Sequence, residues 1–287
     1  MESQTVDAVE FRDGQRQQWK KGAEGWRKRS DFIDAATAHV SKRMVELAGV
    51  EPGSRVLDVA AGYGEPSLTA AAMVGAEGKV VATDISPEML AYGRERAAAA
   101  GLENVEFVES EAASLGFPPE SFDAALSRFG IIFRARGGSR GRPGAGLACP
   151  GVEDGDQLVG TAGAGALHRG SDGDGDAHAR RRSAPAGDAP ARSRARHRRR
   201  WGGLLEGGGF SDVEVEETEV SFEWESADEF VSMVKDTVPP LVALIAKHAP
   251  EDPDRAWDAI LGAVEETASD DGTVTFSNLV LLAVGRA

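Results

Sequence analysis

The sequence predicts an α/β protein built on a doubly wound, mostly parallel sheet. Short apolar runs of strand length alternate with helical patterns of about 10–15 residues across residues 51–133. A glycine turn follows the first apolar run, and a long apolar run lies at 273–285. Strands that alternate with helices in this way pair in parallel through right-handed crossovers.

The first predicted element is an amphipathic helix that Ser30 caps. Apolar residues recur every three or four positions from Ile33 to Leu47, before a glycine. Residues 1–50 are therefore expected to be a helical cap, which Trp19 and Trp26 anchor by packing.

Four strands and two helices are expected in residues 51–133. The strands are predicted at 55–60, 79–84, 105–110 and 122–127, and the helices at 66–74 and 86–100. Ser86 and Pro87 are suited to the N-cap and first turn of the second helix. This half of the chain is expected to bind a cofactor.

Residues 204–287 are expected to form the C-terminal strands and a helical lid. Strand patterns lie at 212–224 and 273–285, with helical stretches at about 227–235, 238–248 and 254–268. The apolar residues of these helices predict a lid over a small, partly apolar organic molecule: Phe230, Met233, Val234, Leu241 and Leu244.

Residues 134–203 break the pattern. This low-complexity segment holds 14 of the 32 Lys and Arg residues but only 7 of the 47 acids, and it has 16 glycines. Such a composition buries too little apolar surface to offset the entropy of ordering, so the segment is expected to be irregular or disordered. It is also what a GC-rich gene yields when read out of frame, in which case the sheet lacks its central fifth strand and activity is reduced. A flexible insertion or an arginine-rich nucleic-acid arm are the alternatives.

The bulk composition excludes several classes of protein. A net charge of −15 argues against nucleic acid as a partner. The single cysteine excludes an internal disulfide framework. With no apolar stretch of membrane-spanning length, we expect a cytoplasmic protein without a membrane partner. The oligomeric state is not predicted.

The turn "VLDVAAGYGEPS" carries the functional signal. Gly62 and Gly64 let a ligand approach the backbone closely after a buried strand. Glu65 and Ser67 disfavour a pyrophosphate, which needs a third glycine and no negative neighbour. Asp84, at the end of the second strand, is placed to accept hydrogen bonds from a ribose diol. A ribose without phosphate beside a cationic centre suggests S-adenosylmethionine.

At family level, residues 55–133 resemble the class I S-adenosylmethionine-dependent methyltransferases, including ubiquinone/menaquinone C-methyltransferases. The likeness runs through "VLDVAAGYGEPSL", "VVATDISPEMLAYGRERAAAAGLENVEFVESEAASLGF" and "SFDAALSRFGIIF", and "LLEGGGFSDVEVEE" extends it. It implies a Rossmann-like fold with an antiparallel C-terminal strand. It also implies methyl transfer from S-adenosyl-L-methionine to a small-molecule acceptor.

The resemblance assigns the methionine half of the cofactor to two strand ends. Asp58, Gly62 and Gly64 would frame this half after the first strand. Ser127 and Arg128, at the end of the fourth strand, would close over it.

The resemblance assigns the adenosine half to the second and third strands. Asp84 would bind the ribose hydroxyls, while Ile85 and Met89 would line the adenine. Glu111, followed by Ala112, stands where the family has an acid that meets the adenine amino group.

One position departs from the family pattern. Ala60 stands where many members have the first glycine of the turn, and its methyl group is tolerated there if its φ is negative. No residue is predicted to be a catalytic base and none to bind a metal; methyl transfer needs a base only when the acceptor must lose a proton.

Two other functions stay open at this stage. An NAD(P)-dependent oxidoreductase shares the first strand–helix–strand unit, and Ser67 argues against it. A non-catalytic protein that keeps a cofactor-binding scaffold is the stronger alternative, because residues 134–203 interrupt the pattern.

Overall fold

The computed structural model describes residues 8–112, 114–118, 120–130, 157–163 and 189–287, which form an α/β fold. Its strands are β1 (Arg55–Val59), β2 (Lys79–Asp84), β3 (Val105–Glu109), β4 (Ala124–Arg128), β5 (Gln157–Gly163), β6 (Ser211–Trp224) and β7 (Val274–Arg286). Its helices are α1 (Ala8–Leu47), α2 (Ser67–Val74), α3 (Pro87–Ala99), α4 (Ala189–Gly207), α5 (Ala227–Thr237), α6 (Pro239–His248) and α7 (Pro253–Glu265).

The described strands form one sheet in the order β3-β2-β1-β4-β5-β7-β6. Strands β1 to β5 are parallel, and β7 runs antiparallel to both of its neighbours. The predicted α/β fold, with a mostly parallel sheet and an antiparallel C-terminal strand, is confirmed. The strand order reverses between β1 and β4, and ligands of open α/β sheets bind in the crevice at such a point.

Side chains alternate between the two faces of β1 and β4. Val56 and Leu126 pack with α1 and α2, whereas Leu57 and Ala125 pack on the opposite face with Leu205 of α4. Each second residue along a strand returns to the same face. The side chains two positions further on, Asp58 and Arg128, are therefore directed to the α1 face.

Helix α1 is longer than the sequence predicts. It runs from Ala8 to Leu47, so the predicted cap at Ser30 is wrong. The Ser30 hydroxyl lies inside the helix, hydrogen-bonded to the Arg27 carbonyl at 3.1 Å and 2.8 Å from the Tyr92 hydroxyl. Gly22 and Gly25 do not end the helix, because they pack against the lid. Tertiary contact here outweighs the low helix propensity of glycine.

Two elements lie wholly or partly inside 134–203. Strand β5 pairs in parallel with β4 and antiparallel with β7, with Leu126 opposite Val159 and Val159 opposite Val284. This is the central fifth position, so the expectation that the sheet lacks this strand is wrong. Helix α4 covers the end of the segment. The predicted disorder of 134–156 and 164–188 falls outside the described residues.

The contact between α1 and α5 is tight at Gly25. A methyl group there would stand 1.8 Å from the Asp236 carbonyl oxygen. We expect Gly25→Ala to lower the free energy of unfolding by about 1–3 kcal/mol, the usual cost of overpacking. Gly14→Ala is the control, because nothing lies within 4 Å of its added methyl. Because alanine is a better helix former than glycine, Gly14→Ala should leave the free energy of unfolding unchanged or raise it by up to about 1 kcal/mol. Urea unfolding measures the free energy of unfolding of both variants. Equal changes in Gly25→Ala and Gly14→Ala would contradict the tight contact between α1 and α5.

The frame-shift interpretation is tested by the nucleotide sequence. We expect the two other reading frames across codons 134–203 to encode between them a helix, a glycine-rich turn and an apolar strand. If neither frame contains this pattern, the interpretation is wrong and the segment is a genuine part of the protein.

Candidate functional site

The turn between β1 and α2 is built from left-handed residues. Gly62 has a φ of +57°, Gly64 of +114° and Ala60 of +58°. The condition of a negative φ, under which the Ala60 methyl group was to be tolerated, is therefore not met, and this residue is held in a conformation that favours glycine. There is room for the Ala60 methyl group because residue 130 is a glycine. A Cβ added at Gly130 would lie 2.3 Å from the Ala60 Cβ.

The Asp84 carboxylate fixes the shape of this turn. Its Oδ2 accepts a hydrogen bond from the Gly62 N–H and its Oδ1 accepts one from the Ser86 N–H, each at 2.9 Å. The side chain is buried, and burial raises the pKa of Asp84 while these N–H groups oppose the rise. A carboxylate oxygen has two lone pairs, so each one keeps the capacity to accept from a ligand.

The remaining residues of the predicted adenosine half lie at the same edge of the sheet. Ile85 is half-buried and Met89 is buried, and the Met89 methyl would stand 3.4 Å from a Cβ added at Gly62. The Ser110 N–H donates to the Asp84 carbonyl at 2.9 Å. Glu111 is half-buried and is the next residue after Ser110, so it lies beside the end of the second strand.

Ala112 is exposed. It comes directly after Glu111 at the same strand end, so the structure places it at the rim of the predicted site.

Asp58 is the buried acid at the end of β1. Its Oδ2 accepts a hydrogen bond from the Ser67 hydroxyl at 2.5 Å, whereas its Oδ1 has no partner among the described residues. Burial is the main cause that raises the pKa of Asp58 to about 7, and the nearby Glu65 adds to it. The Ser67 hydrogen bond and the Arg128 charge oppose the rise.

Ser127 and Arg128 lie at the end of β4 and face opposite sides of the sheet. The buried Ser127 hydroxyl has no hydrogen-bond partner among the described residues. The Arg128 Nη1 donates to the Thr37 hydroxyl at 2.9 Å and to the Ser41 hydroxyl at 3.0 Å. Arg128 therefore joins the Asp58 side of the site, and Ser127 does not.

The sequence reasoning missed a carboxylate on α1 that contacts three other elements. Asp34 accepts from the Tyr63 hydroxyl at 2.9 Å, forms an ion pair with Arg96, and lies 3.9 Å from the Arg128 Nη2. The Arg96 guanidinium also lies 5.0 Å from the centre of the Tyr63 ring. The available signal was Tyr63, a large phenol side chain between two turn glycines. A buried hydroxyl needs a hydrogen-bond partner, so Tyr63 indicates that a polar residue such as Asp34 lies nearby.

The first half of α1 passes over the predicted adenosine side. Arg16 pairs with Glu109 at the end of β3, and Lys20 pairs with Glu88 at the start of α3. The Trp26 ring lies 5.9 Å from the Tyr63 ring, tilted by 34°, and its Nε1 donates to the Thr237 carbonyl of the lid. The expected packing role of this tryptophan agrees with these contacts.

Most of the predicted lid residues pack within the lid itself. Phe230, Val234 and Leu241 contact the cluster around Trp257, while Leu244 is 53% exposed. Met233 lies in the neighbouring cluster around Trp224. The helices are therefore held together before any ligand contributes contacts.

The described residues bear on two other features, metal binding and membrane insertion. They contain no group of three His, Cys, Asp or Glu residues placed to hold a metal ion. Among the described helices, none combines the length and apolar character needed to cross a membrane.

Comparisons with known proteins converge on one family. A model of a methyltransferase domain matches residues 56–136. The ubiquinone/menaquinone biosynthesis C-methyltransferase of Ectopseudomonas mendocina is 40% identical over 104 residues, which is 36% of this chain and 41% of that relative. Its counterpart in Teredinibacter turnerae is 43% identical over 91 residues, or 31% of this chain and 36% of the relative. The chain thus matches about two fifths of the length of these relatives.

Solved structures share the fold over most of the chain. A Bacillus halodurans protein assigned to the methyltransferases superposes with a TM-score of 0.51, at 18% identity, over 86% of this chain and 97% of that one. Haemonchus contortus phosphoethanolamine N-methyltransferase 2 gives a TM-score of 0.50 at 16% identity, over 98% of this chain and 60% of that one. At such low identity these likenesses describe the fold alone.

Proposed function

We propose that the chain is a class I S-adenosylmethionine-dependent methyltransferase that transfers a methyl group to a small organic molecule, because residues 56–136 match a methyltransferase-domain model and its curated relatives are methyltransferases. The observation that carries the proposal is the pairing of a bare glycine turn with two buried acids. Asp84 holds the turn through the Gly62 N–H, and Asp58 keeps an unpartnered oxygen beside it.

The residues present fit S-adenosylmethionine. Gly62 and Gly64 leave the backbone bare where the cofactor would pass. Asp84 would accept from the ribose hydroxyls with its remaining lone pairs. The unpartnered Asp58 Oδ1 would accept from the methionyl ammonium. A buried acceptor without a partner costs stability until a ligand donates to it.

The same residues disfavour a dinucleotide. Asp58 and Glu65 lie close enough for the Glu65 charge to raise the pKa of Asp58, and both precede the first residue of α2. A pyrophosphate at this helix N-terminus would meet two carboxylates. Ser67, which stands where the third glycine is expected, is already engaged with Asp58. The oxidoreductase alternative therefore loses support.

When bound, the cofactor would supply an electrophilic methyl carbon on a sulfonium: the acceptor would form a bond to this carbon in line as the carbon–sulfur bond breaks, and the thioether S-adenosylhomocysteine would leave. The chain's own residues would contribute alignment and exclusion of water. The turn and Asp84 orient the nucleoside, and α1 covers the mouth through Arg16 and Lys20. A general base is needed only for an acceptor that must lose a proton.

The acceptor class is inferred from the lid rather than from the relatives. The curated relatives are named for quinone biosynthesis, but a match of 104 residues is too short to include both 51–133 and 204–287. The lid helices α5–α7 would form the acceptor side, and they are amphipathic. A small, partly apolar acceptor fits them, and a quinone remains one member of that class.

Titration calorimetry tests the proposed function directly. We expect S-adenosylhomocysteine to bind and NADH not to bind. Binding of NADH alone would overturn the proposal in favour of an oxidoreductase. Binding of S-adenosylhomocysteine without methylation across a panel of small acceptors would favour the non-catalytic scaffold.

Asp84→Ala tests the ribose assignment. The change removes the acceptor that would bind the diol and frees two backbone N–H groups. We expect the binding of S-adenosylhomocysteine to weaken by about 1.5–3 kcal/mol, the range for hydrogen bonds to a charged group. Asp31→Ala, an exposed acid of α1, is the matched control and should bind like the wild type. Unchanged affinity in the Asp84 variant would remove the assignment.

The pKa of Asp58 predicts proton release on binding. The free protein holds a proton on Asp58 below about pH 7, and a docked ammonium would stabilise the ionised form and lower this pKa. We expect S-adenosylhomocysteine to release close to one proton at about pH 6 and close to none at about pH 8, with affinity falling as pH falls below 7. Calorimetry in buffers of different ionisation enthalpy measures the proton count.

Asp58→Asn supplies the control for that experiment. The amide cannot ionise, so the proton release and the acid loss of affinity should both vanish. If the variant still releases a proton at pH 6, another group is responsible and the Asp58 assignment is wrong.

A further inference from the structure

The peptide between Tyr63 and Gly64 is fixed at both of its polar groups. The Arg96 Nη1 of α3 donates to the Tyr63 carbonyl at 3.2 Å, and the Gly64 N–H donates to the Ala61 carbonyl at 3.0 Å. Asp84 holds the start of the same turn through a different backbone N–H. Arg96 therefore holds the part of the turn that the Asp84 hydrogen bonds do not reach.

Asp34 orients the guanidinium of Arg96. This carboxylate of α1 forms an ion pair with Arg96 and accepts a hydrogen bond from the Tyr63 hydroxyl at 2.9 Å. Tyr63 is only 4% exposed, and burial raises the pKa of its phenol, so the hydroxyl keeps the proton that it donates. Each of the three residues thus contacts the other two, and both α1 and α3 hold the turn at Tyr63.

A glycine turn needs such support because glycine adopts many backbone conformations. Gly62 and Gly64 both have a positive φ, and a turn that is free to leave this geometry is competent for binding only part of the time. A ligand that binds only the competent fraction has an apparent dissociation constant equal to the intrinsic constant divided by that fraction. Contacts that hold the turn therefore raise the affinity without touching the ligand.

We propose that Asp34 and Arg96 are positioning residues that hold the glycine turn in its binding conformation by acting on Tyr63. This inference rests on the proposed function, and it adds residues that prepare the site to those that would contact the cofactor. A purely structural role predicts a different result. Loss of these contacts would then lower the stability of the fold, and the folded molecules would bind as tightly as the wild type.

Two neighbouring phenols give a matched pair of variants. The Tyr92 ring lies 6.3 Å from the Tyr63 ring and 5.9 Å from the Arg96 guanidinium, but its hydroxyl lies 2.8 Å from the Ser30 hydroxyl, outside the turn. We expect Tyr63→Phe to weaken S-adenosylhomocysteine binding about 3- to 10-fold, in line with one lost hydrogen bond, and Tyr92→Phe to leave it unchanged. Titration calorimetry measures both affinities. Equal affinities in the two variants would overturn the inference.

Stopped-flow kinetics distinguish positioning from direct contact. When only the competent fraction of the turn decreases, the association rate constant falls and the dissociation rate constant is unchanged. We therefore expect the loss of affinity in Tyr63→Phe to lie in association. A rise in the dissociation rate constant instead would mean that the hydroxyl contacts the ligand, and it would overturn the positioning role.

The two charged residues have variants of their own. We expect Arg96→Met to weaken S-adenosylhomocysteine at least as much as Tyr63→Phe does. Arg96→Lys should restore part of the lost affinity, because lysine keeps the charge beside Asp34 without the fork that reaches two acceptors. Asp34→Ala combined with Tyr63→Phe should bind about as weakly as Asp34→Ala alone, since both changes remove the same hydrogen bond. No recovery in Arg96→Lys would overturn the role of Arg96, and additive losses would overturn that of Asp34.

The deciding variant is Tyr63→Phe. It keeps the ring and leaves both the Asp34–Arg96 pair and the 3.9 Å contact of Asp34 with Arg128 in place, so it still tests the inference where a charged-residue variant does not fold. If the wild type binds S-adenosylhomocysteine and Tyr63→Phe binds it as tightly, only the inference is overturned. If the wild type does not bind it, the proposed function fails and the inference fails with it.

Discussion

The glycine turn depends on one buried carboxylate. Asp84 accepts from the main-chain N–H groups of Gly62 and Ser86, which belong to the connections after two adjacent strands. Because β1 and β2 are paired along their length, this bridge fixes the turn and the start of α3 relative to each other. Without the carboxylate both N–H groups would lose their acceptor, at a cost of about 1–3 kcal/mol for each one that stayed buried. The bare backbone of the turn is useful only while this bridge holds it in place.

A second carboxylate connects this turn to the N-terminal helix. Asp34 is shared between Tyr63 in the turn, Arg96 in α3 and, at longer range, Arg128 in β4. Its side chain is 20% exposed, so its contacts are less screened than those of the outer ion pairs at Arg16 and Lys20. The position of α1 is therefore set by Asp34, by the apolar face below it and by the lid contacts at Gly25, whereas the exposed ion pairs at Arg16 and Lys20 contribute little. Access to the turn would be governed by the segment that carries these exposed pairs.

The sequence predicts the parts of this structure that local patterns determine. Strand periodicity, the Ser86–Pro87 cap and the spacing from Gly64 to Asp84 are local, and the structure confirms the fold that they imply. The continuous α1 could not be predicted, because Gly25 is kept in the helix by a contact with Asp236, more than 200 residues away. The strand β5 could not be predicted either, since its sequence lacks apolar periodicity and its place follows from pairing with β4 and β7. Asp34 gave no signal of its own, because its role depends on three elements that meet only in the folded chain.

The buried polar groups without close partners explain why the site would bind one ligand tightly and why the free protein would be less stable without that ligand. Burial raises the pKa of Asp58, whose Oδ1 is unpartnered, and Arg128 on the same face meets its nearest carboxylate, Asp34, only at 3.9 Å. Apolar replacements would remove these costs, yet they would also remove every contact that can recognise charge. A ligand that carries both charges satisfies both groups at once and gains the stability that the free protein lacks. Discrimination would follow from the same cost, because a nucleoside without an ammonium group would leave the Asp58 Oδ1 buried and unpaired.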